Sequence, residues 1–405
     1  MDYERHFAAA LAALKGEGRY RTFQPMRRST AGFPRAIWEG PEGPREVVVW
    51  CANDYLGMGR HPAVIEAATA ALRDHGAGAG GTRNIAGTMH LAVRLEEALA
   101  DWHGKPAALL FTSGYVANQA ALGTLAARLP GCVVLSDALN HASMIHGIRD
   151  GRVEKHIFAH NDPADLDRRL RALPPGGARL IAFESVYSMD GDIAPLAALC
   201  DVAEAHGGLA YLDEVHAVGL YGERGSGVAE RDGVGHRLQV IQGTLGKAFG
   251  CVGGYIAGSA GLVDFVRSHA GPFIFTTALP PAVLAGALAS LAVLRSAEGQ
   301  ALRRSQQRQA ARLKQRLREA GLPVMDSVSH IVPVLVGDAR GCKLASDMLL
   351  RDHAIYVQPI NYPTVARGTE RLRFTPTPFH DDAEIDRLVA ALGAVWERLH
   401  LRTAA

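Results

Sequence analysis

LAYLDEVHAVGLYG, residues 209–222, is the stretch whose reading decides the fold. Its first five residues are apolar up to a terminal carboxylate, too few for a helix, and they read as a strand buried on both faces. The polar EVH that follows, and the glycines after it, read as a loop at the strand's carboxyl end. The same unit recurs upstream at AALLF (107–111), CVVLS (132–136) and RLIAFES (179–185), and downstream at VIQGTL (240–245) and GGYIAG (253–258). Helical patterns separate the runs. This alternation predicts an α/β fold with an open, mainly parallel sheet covered by helices on both sides.

Beyond this core the pattern changes. An amphipathic opening around Phe7 to Leu14, a Gly, Pro and Arg-containing segment to Pro44 and the strand-like VVVWC at 47–51 predict an N-terminal arm over residues 1–50. A large domain is expected over 51–290. An Ala and Leu-rich helix at 279–294 and a long charged one at 302–320 introduce a smaller α+β domain over 291–405.

Composition narrows the function classes. With 405 residues and 48% of them hydrophobic, the chain can bury a large core. Lys and Arg number 43 against 41 for Asp and Glu, with no long run of one sign, which disfavours nucleic-acid or membrane-surface binding. The five cysteines are scattered and lack C-x-x-C spacing, so neither a metal site nor a disulfide framework is expected. No stretch approaches the ~20 apolar residues of a membrane span, and the N-terminus has no signal-like apolar core. The expected setting is the cytoplasm and the expected chemistry acts on small molecules.

In open α/β sheets, ligands gather at the carboxyl ends of the strands. There the sequence places Asp213 and His216 after one run, Lys247 between Gly246 and Ala248 after another, and Asn140 and His141 after a third. Taken singly, Lys247 also reads as a surface lysine, Asp213 as a capping carboxylate and His141 as a core histidine. Together they match what pyridoxal 5′-phosphate needs: an amine for a Schiff base, a carboxylate for the ring nitrogen, and an anion cradle for the phosphate. TSGYVAN (112–118), with Gly114 and Tyr115 at a helix start, is the candidate cradle.

DEVHAVGLYG, GTLGKAFGCVGGY, LNHASMIHG and ESVYSMDGD resemble the α-oxoamine synthases, fold-type I pyridoxal-phosphate enzymes that join an amino acid to an acyl-CoA with loss of carbon dioxide. The resemblance implies a mainly parallel seven-stranded sheet and a homodimer with shared active sites. It makes Lys247 both Schiff-base lysine and proton-transfer base, and pairs Asp213 with the pyridinium nitrogen. It places His216 and Ser188 near the ring's phenolic oxygen, His141 on the ring face, and Thr244 on the phosphate. Thr276 and Thr277 would reach that phosphate from a second subunit.

GAGAGGTRNIAGT (76–88), GRYRTF (18–23) and VQPINYPTVARGTERLRFTPTP (357–378) resemble the branch of that family that uses glycine and succinyl-CoA. Succinyl-CoA ends in a carboxylate, which needs a charge-assisted partner when buried. Arg21 is the expected partner, with Asn84 as a neutral donor, Thr82 and Ile85 lining the pocket and Thr364 approaching the succinyl group. Ser136 and Lys155 would face coenzyme A. Arg373, with Asn53 nearby, would clamp the glycine carboxylate. Siblings that use acetyl- or pimeloyl-CoA, and a catalytically silent subunit, are the competing readings.

Overall fold

A computed structural model describes residues 1–403, which divide into two compact units. The larger comprises Met58–Tyr187 and Ile193–Arg303, the smaller Met1–Gly57, Ser188–Asp192 and Arg304 onward.

The larger unit is built on seven strands: Ala107–Phe111 (β1), Val133–Asp137 (β2), Glu154–Phe158 (β3), Arg179–Glu184 (β4), Leu209–Asp213 (β5), Val240–Thr244 (β6) and Gly254–Gly258 (β7). Their order across the sheet is β1-β7-β6-β5-β4-β2-β3. Strands β6, β5, β4, β2 and β3 run parallel, whereas β7 pairs antiparallel with both β6 and β1. Every residue of β2, β4, β6 and β7 is buried. That two-sided burial is why these strands read as continuous apolar runs rather than alternating ones. The helix Gly114–Arg128 packs on Ala142–Gly151, and its Ala117, Ala121 and Leu122 join Met144, Ile148 and Tyr211 in one apolar cluster.

The smaller unit takes in the N-terminal segment as a structural part. Strands Met26–Arg28, Arg35–Gly40 and Gly43–Val49 form an antiparallel run, and Ile355–Tyr356 adds to it in parallel through Val48 and Val49. Val48 and Trp50 lie in the same core as Leu313, Leu349, Phe374 and Trp396. Residues read from sequence as an arm are therefore bound by burial to the C-terminal half. A second sheet, Val332–Leu335, Arg371–Phe374 and Pro359–Ile360, is antiparallel, and the helices Ala339–His353 and Asp382–Arg398 complete this unit. The five cysteines are unpaired. Among the described residues no single helix is long and apolar enough to cross a membrane, and no cluster of metal-ligating side chains occurs.

Candidate active site

The carboxyl ends of β5, β6 and β2 bring together the residues singled out in the larger unit. Asp213 closes β5 and is buried. Its carboxylate accepts from the Val215 N–H at 2.9 Å and from the Asn118 side-chain amide at 2.6 Å. Both partners are neutral. Burial pushes the Asp213 carboxyl up, opposed by those two bonds and by the nearby Lys247 ammonium.

Asn118 extends the network. Its amide also donates to Ser143 Oγ at 3.0 Å, and its carbonyl accepts from the buried Tyr211 hydroxyl at 2.9 Å. Ser143 in turn meets His141 Nδ1, with Oγ at 2.7 Å and its backbone N–H donating at 3.2 Å. An Nδ1 that accepts a backbone N–H leaves the imidazole proton on Nε2. His141 caps the helix Ala142–Gly151 and keeps its ring open to solvent, yet the surrounding protein desolvates it enough to lower its pKa. Its own N–H donates to Glu184 Oε1 at 2.5 Å. Burial, reinforced by the charge of Asp213, raises the Glu184 carboxyl well above the usual carboxylate range.

Lys247 is half-buried in a tight loop after β6, where Gly250 N–H donates to the Lys247 carbonyl at 2.8 Å and Cys251 N–H to the Leu245 carbonyl at 2.8 Å. The Thr244 hydroxyl fixes both limbs of this loop, donating to the Gly253 carbonyl at 3.0 Å and accepting from Gly246 N–H at 3.1 Å. His216 is buried in the turn after β5.

The cradle forms where β1 turns into the helix Gly114–Arg128. Ser113 is the N-cap and accepts from Val116 N–H at 3.1 Å. Gly114 and Tyr115 occupy the first turn, whose amides the helical ladder does not use. Space here is reserved by glycine: a Cβ on Gly254 would lie 2.4 Å from Gly114 N, and one on Gly114 would lie 3.3 Å from Thr244 Oγ1. The Tyr115 hydroxyl bonds His146 Nδ1. These features fit pyridoxal phosphate: an amine on a fixed loop, a buried carboxylate hydrogen-bonded to neutral groups, and an anion cradle that a Cβ would fill.

The neighbouring loop 76–88 holds three further candidates. Thr82 Oγ1 donates to Asn84 Oδ1 at 2.6 Å, and Thr82 pairs with Thr277 in an isolated antiparallel bridge. Asn84 and Ile85 are exposed, Thr276 is half-buried and Thr277 exposed. Ser136 is buried on β2, its hydroxyl accepting from Asn140 at 2.9 Å, whereas Lys155 is exposed on the edge strand β3.

In the smaller unit Arg373 and Arg21 bond to neutral side chains. Arg373 Nη2 donates to Asn53 Oδ1 at 3.1 Å and reaches the Tyr55 hydroxyl at 3.5 Å. Arg21 Nη2 donates to Thr364 Oγ1 at 3.3 Å, across 343 residues of sequence. Arg21 and Thr364 border a cleft of about 430 Å³ with Lys343, Gln358, Asn361 and Tyr362. Among the described residues neither arginine forms an ion pair with an acidic side chain. Arg371, two residues from Arg373, is different: it is buried against Asp190 at 2.7 Å and the Met189 carbonyl at 3.0 Å. Ser188, in that same loop, is buried.

Sequence reasoning did not single out Asn118 or Glu184. Both carried a signal, an amide in the Ala-rich helix start and an acid closing an apolar strand. Comparison with known proteins bears on the whole chain. The family model for aminotransferase class I and II matches residues 45–392. The chain belongs to that family. It is 59% identical over 404 residues to a 5-aminolevulinate synthase of Rhizobium meliloti, covering 100% of both chains. To a protein of the same name from Bradyrhizobium diazoefficiens it is 57% identical over 401 residues, 99% of this chain and 98% of the relative. Among solved structures, a serine palmitoyltransferase from S. paucimobilis with a bound PLP–myriocin aldimine superposes with a TM-score of 0.90, 32% identity and 98% coverage of both chains. An 8-amino-7-oxononanoate synthase at 23% identity, TM-score 0.73, covering 87% of this chain and 99% of its own, shares the fold.

Proposed function

We propose that this chain is a 5-aminolevulinate synthase, a pyridoxal-phosphate acyltransferase. It condenses glycine with succinyl-CoA and releases 5-aminolevulinate, coenzyme A and carbon dioxide, the first step of tetrapyrrole and heme biosynthesis by the C4 route. Relatives of that name at 57% and 59% identity over the whole chain support this reading. The observation that carries the choice of substrates is the pair of guanidinium groups, Arg373 and Arg21, each bonded only to neutral side chains. Glycine and the succinyl group each bring one carboxylate, and an arginine with neutral neighbours is a ready bidentate partner for one. A fatty acyl chain would leave one of the two without a counter-charge, which opposes its entry.

When bound, pyridoxal phosphate supplies the electron sink that makes a carbon nucleophile of the glycine α-carbon. The protein's part is placement and proton transfer. Lys247 holds the cofactor and takes the α-proton. Asp213, its charge kept from water by burial and steadied by Asn118, keeps the ring nitrogen protonated. His141 would lie against the ring and would present Nε2–H as a donor toward the oxyanion that develops on acyl transfer. His216 and Ser188 serve the phenolic oxygen; Gly114, Tyr115 and Thr244 hold the phosphate. Arg373 and Asn53 fix the glycine carboxylate and so the α-bond that breaks. Arg21 and Thr364 take the succinyl carboxylate. Thr82, Asn84 and Ile85 shape the acyl pocket, and Ser136 and Lys155 serve coenzyme A.

The proposal includes a homodimer with shared sites. Phe275 and Ile85, 82% and 78% exposed, are apolar groups of the larger unit that a second copy would cover. Thr276 and Thr277 would then complete the phosphate site of the neighbour. Because Thr82 is bridged to Thr277, and Ala278 N–H donates to the Gly81 carbonyl at 3.0 Å, the loop with Asn84 and Ile85 would go with them.

Mass spectrometry of the product from glycine with succinyl-, acetyl- and pimeloyl-CoA tests the substrate choice. Formation of 5-aminolevulinate from the succinyl thioester is expected. Preference for either other thioester would replace it with a sibling activity, and turnover of none would favour a silent subunit.

A further inference from the structure

The loop 76–88 carries an inward-facing residue between its outward-facing ones. Between Thr82 and Asn84, the Arg83 side chain turns inside and meets Glu96 in a bidentate pair, Nη1 to Oε1 at 2.7 Å and Nη2 to Oε2 at 2.9 Å. The two side chains are only 12% and 14% exposed. Arg83 Nε also donates to Thr88 Oγ1 at 3.2 Å, while the Thr88 hydroxyl donates back to the Arg83 carbonyl at 2.5 Å. The guanidinium lies 5.8 Å from the Phe273 ring. Glu96 does a second thing. Its Oε1 accepts the Leu110 N–H at 3.0 Å, on the side of the edge strand β1 that no neighbouring strand covers. The residues just past Leu110 are those of the cradle, Thr112 to Tyr115.

The backbone of the loop is equally constrained. Ile85 and Gly87 N–H groups both donate to the Thr82 carbonyl, at 3.1 and 2.9 Å. A Cβ on Gly87 would lie 2.4 Å from the Gly81 carbonyl oxygen, so the loop closes on itself only with glycine there. The result is a compact turn whose free face shows Asn84 and Ile85, and whose hidden face is riveted by one carboxylate to the strand that begins the cradle.

We infer that Arg83 and Glu96 are positioning residues for acyl-CoA selectivity: their ion pair holds the loop in one shape, so that Thr82, Asn84 and Ile85 present a fixed surface to the acyl group in the site they enter with Thr276 and Thr277. This rests on the acyl-pocket reading given above. A half-buried bidentate pair is stiff where a loop backbone alone is not, and a shift of about 1 Å in a recognition loop is enough to lose discrimination.

The test is steady-state kinetics of the holoenzyme with glycine and either succinyl-CoA or the uncharged, equally long butyryl-CoA. Glu96→Gln should raise KM for succinyl-CoA about tenfold, the cost of one weakened charge-assisted pair, while kcat and KM for glycine stay within about twofold. The preference for succinyl over butyryl should fall by a similar factor. Arg83→Lys, which keeps the charge and loses the fork, should restore part of it. Thr88→Val, a near-isosteric change on the exposed side of the loop, should act in the same direction by about threefold, and it covers the case in which Glu96→Gln fails to fold. Unchanged succinyl/butyryl preference in the folded variants, or equal rises in KM for glycine and the thioester, overturns the clamp. Absence of succinyl-CoA turnover in the unaltered chain would sink the substrate reading alone, and the same variants would then be read by their preference among the thioesters that are used.

Discussion

The cofactor side and the substrate side of this protein are built differently. Around Asp213 the polar groups are buried and bonded to one another, from Tyr211 through Asn118 to Ser143 and His141. Around Arg21 and Arg373 the groups are more open: Arg21 has one neutral contact, at 3.3 Å, and Arg373 two, at 3.1 and 3.5 Å. A network in which every buried member is satisfied fixes geometry before anything binds. A guanidinium with loose neutral neighbours keeps its charge available for an incoming carboxylate. The first arrangement suits a group that stays, the second suits groups that come and go.

That contrast is broken most sharply at Lys247. Lys247→Ala should abolish borohydride trapping of the cofactor and its visible absorbance maximum, and reduce turnover by orders of magnitude. Trapping at another lysine would remove Lys247 from the role. Next in size is Asp213→Asn, which keeps the shape of the side chain and discards the charge. Turnover should drop by at least about 10²-fold, since a neutral amide does not hold the ring nitrogen protonated, while cofactor content falls far less. Near-normal turnover would mean that the buried network, not the carboxylate, is what matters at this position.

How far this could be read in advance differs by region, for physical reasons. The strands of the large sheet are buried on both faces, so their runs announce themselves, and the residues at their ends are legible as a group. Asn118 was harder to see. Its significance comes from a helix turn that points it at Asp213, 95 residues away in sequence. The N-terminal segment looked separable because a Gly, Pro and Arg-containing stretch, rather than apolar runs, follows its amphipathic opening. Val48 and Trp50 nevertheless complete a core otherwise made after Arg304, and only the pairing of Val48 with Ile355 reveals that. Arg371 and Arg373 are indistinguishable by sequence context. Asp190 neutralises the first and leaves the second for a ligand.

The substrate side is sharpened by splitting its two arginines. Arg21→Leu should raise KM for succinyl-CoA by about 10–100-fold with little change for glycine, and Arg373→Leu should do the reverse, each losing one charge-assisted carboxylate bond. Equal effects on both substrates from either variant would show that the two guanidinium groups do not divide the carboxylates between them.

The smallest effect concerns a buried acid that touches neither arrangement directly. Glu214 accepts from Ser185 Oγ at 2.6 Å and from the Val228 and Ala229 N–H groups at 3.2 and 2.7 Å. Burial nonetheless pushes its carboxyl up to about 7. Below its unfolded value of 4.5 the group is protonated in both states and contributes no pH dependence. Between that value and about 7 the unfolded chain releases the proton while the folded one keeps it, so stability falls as pH rises and levels off above the folded pKa. The loss amounts to about 3 kcal/mol over that interval. Glu214→Gln should flatten this part of the stability profile, read as the urea midpoint at pH 5 and pH 7.5. Its slope relative to the unaltered chain is the quantity of interest, since Asp213 and Glu184 are raised by burial too and remain in both proteins. An identical slope in the two would mean that Glu214 is ionised in the folded chain across the whole range, held by its three donors more strongly than burial opposes it.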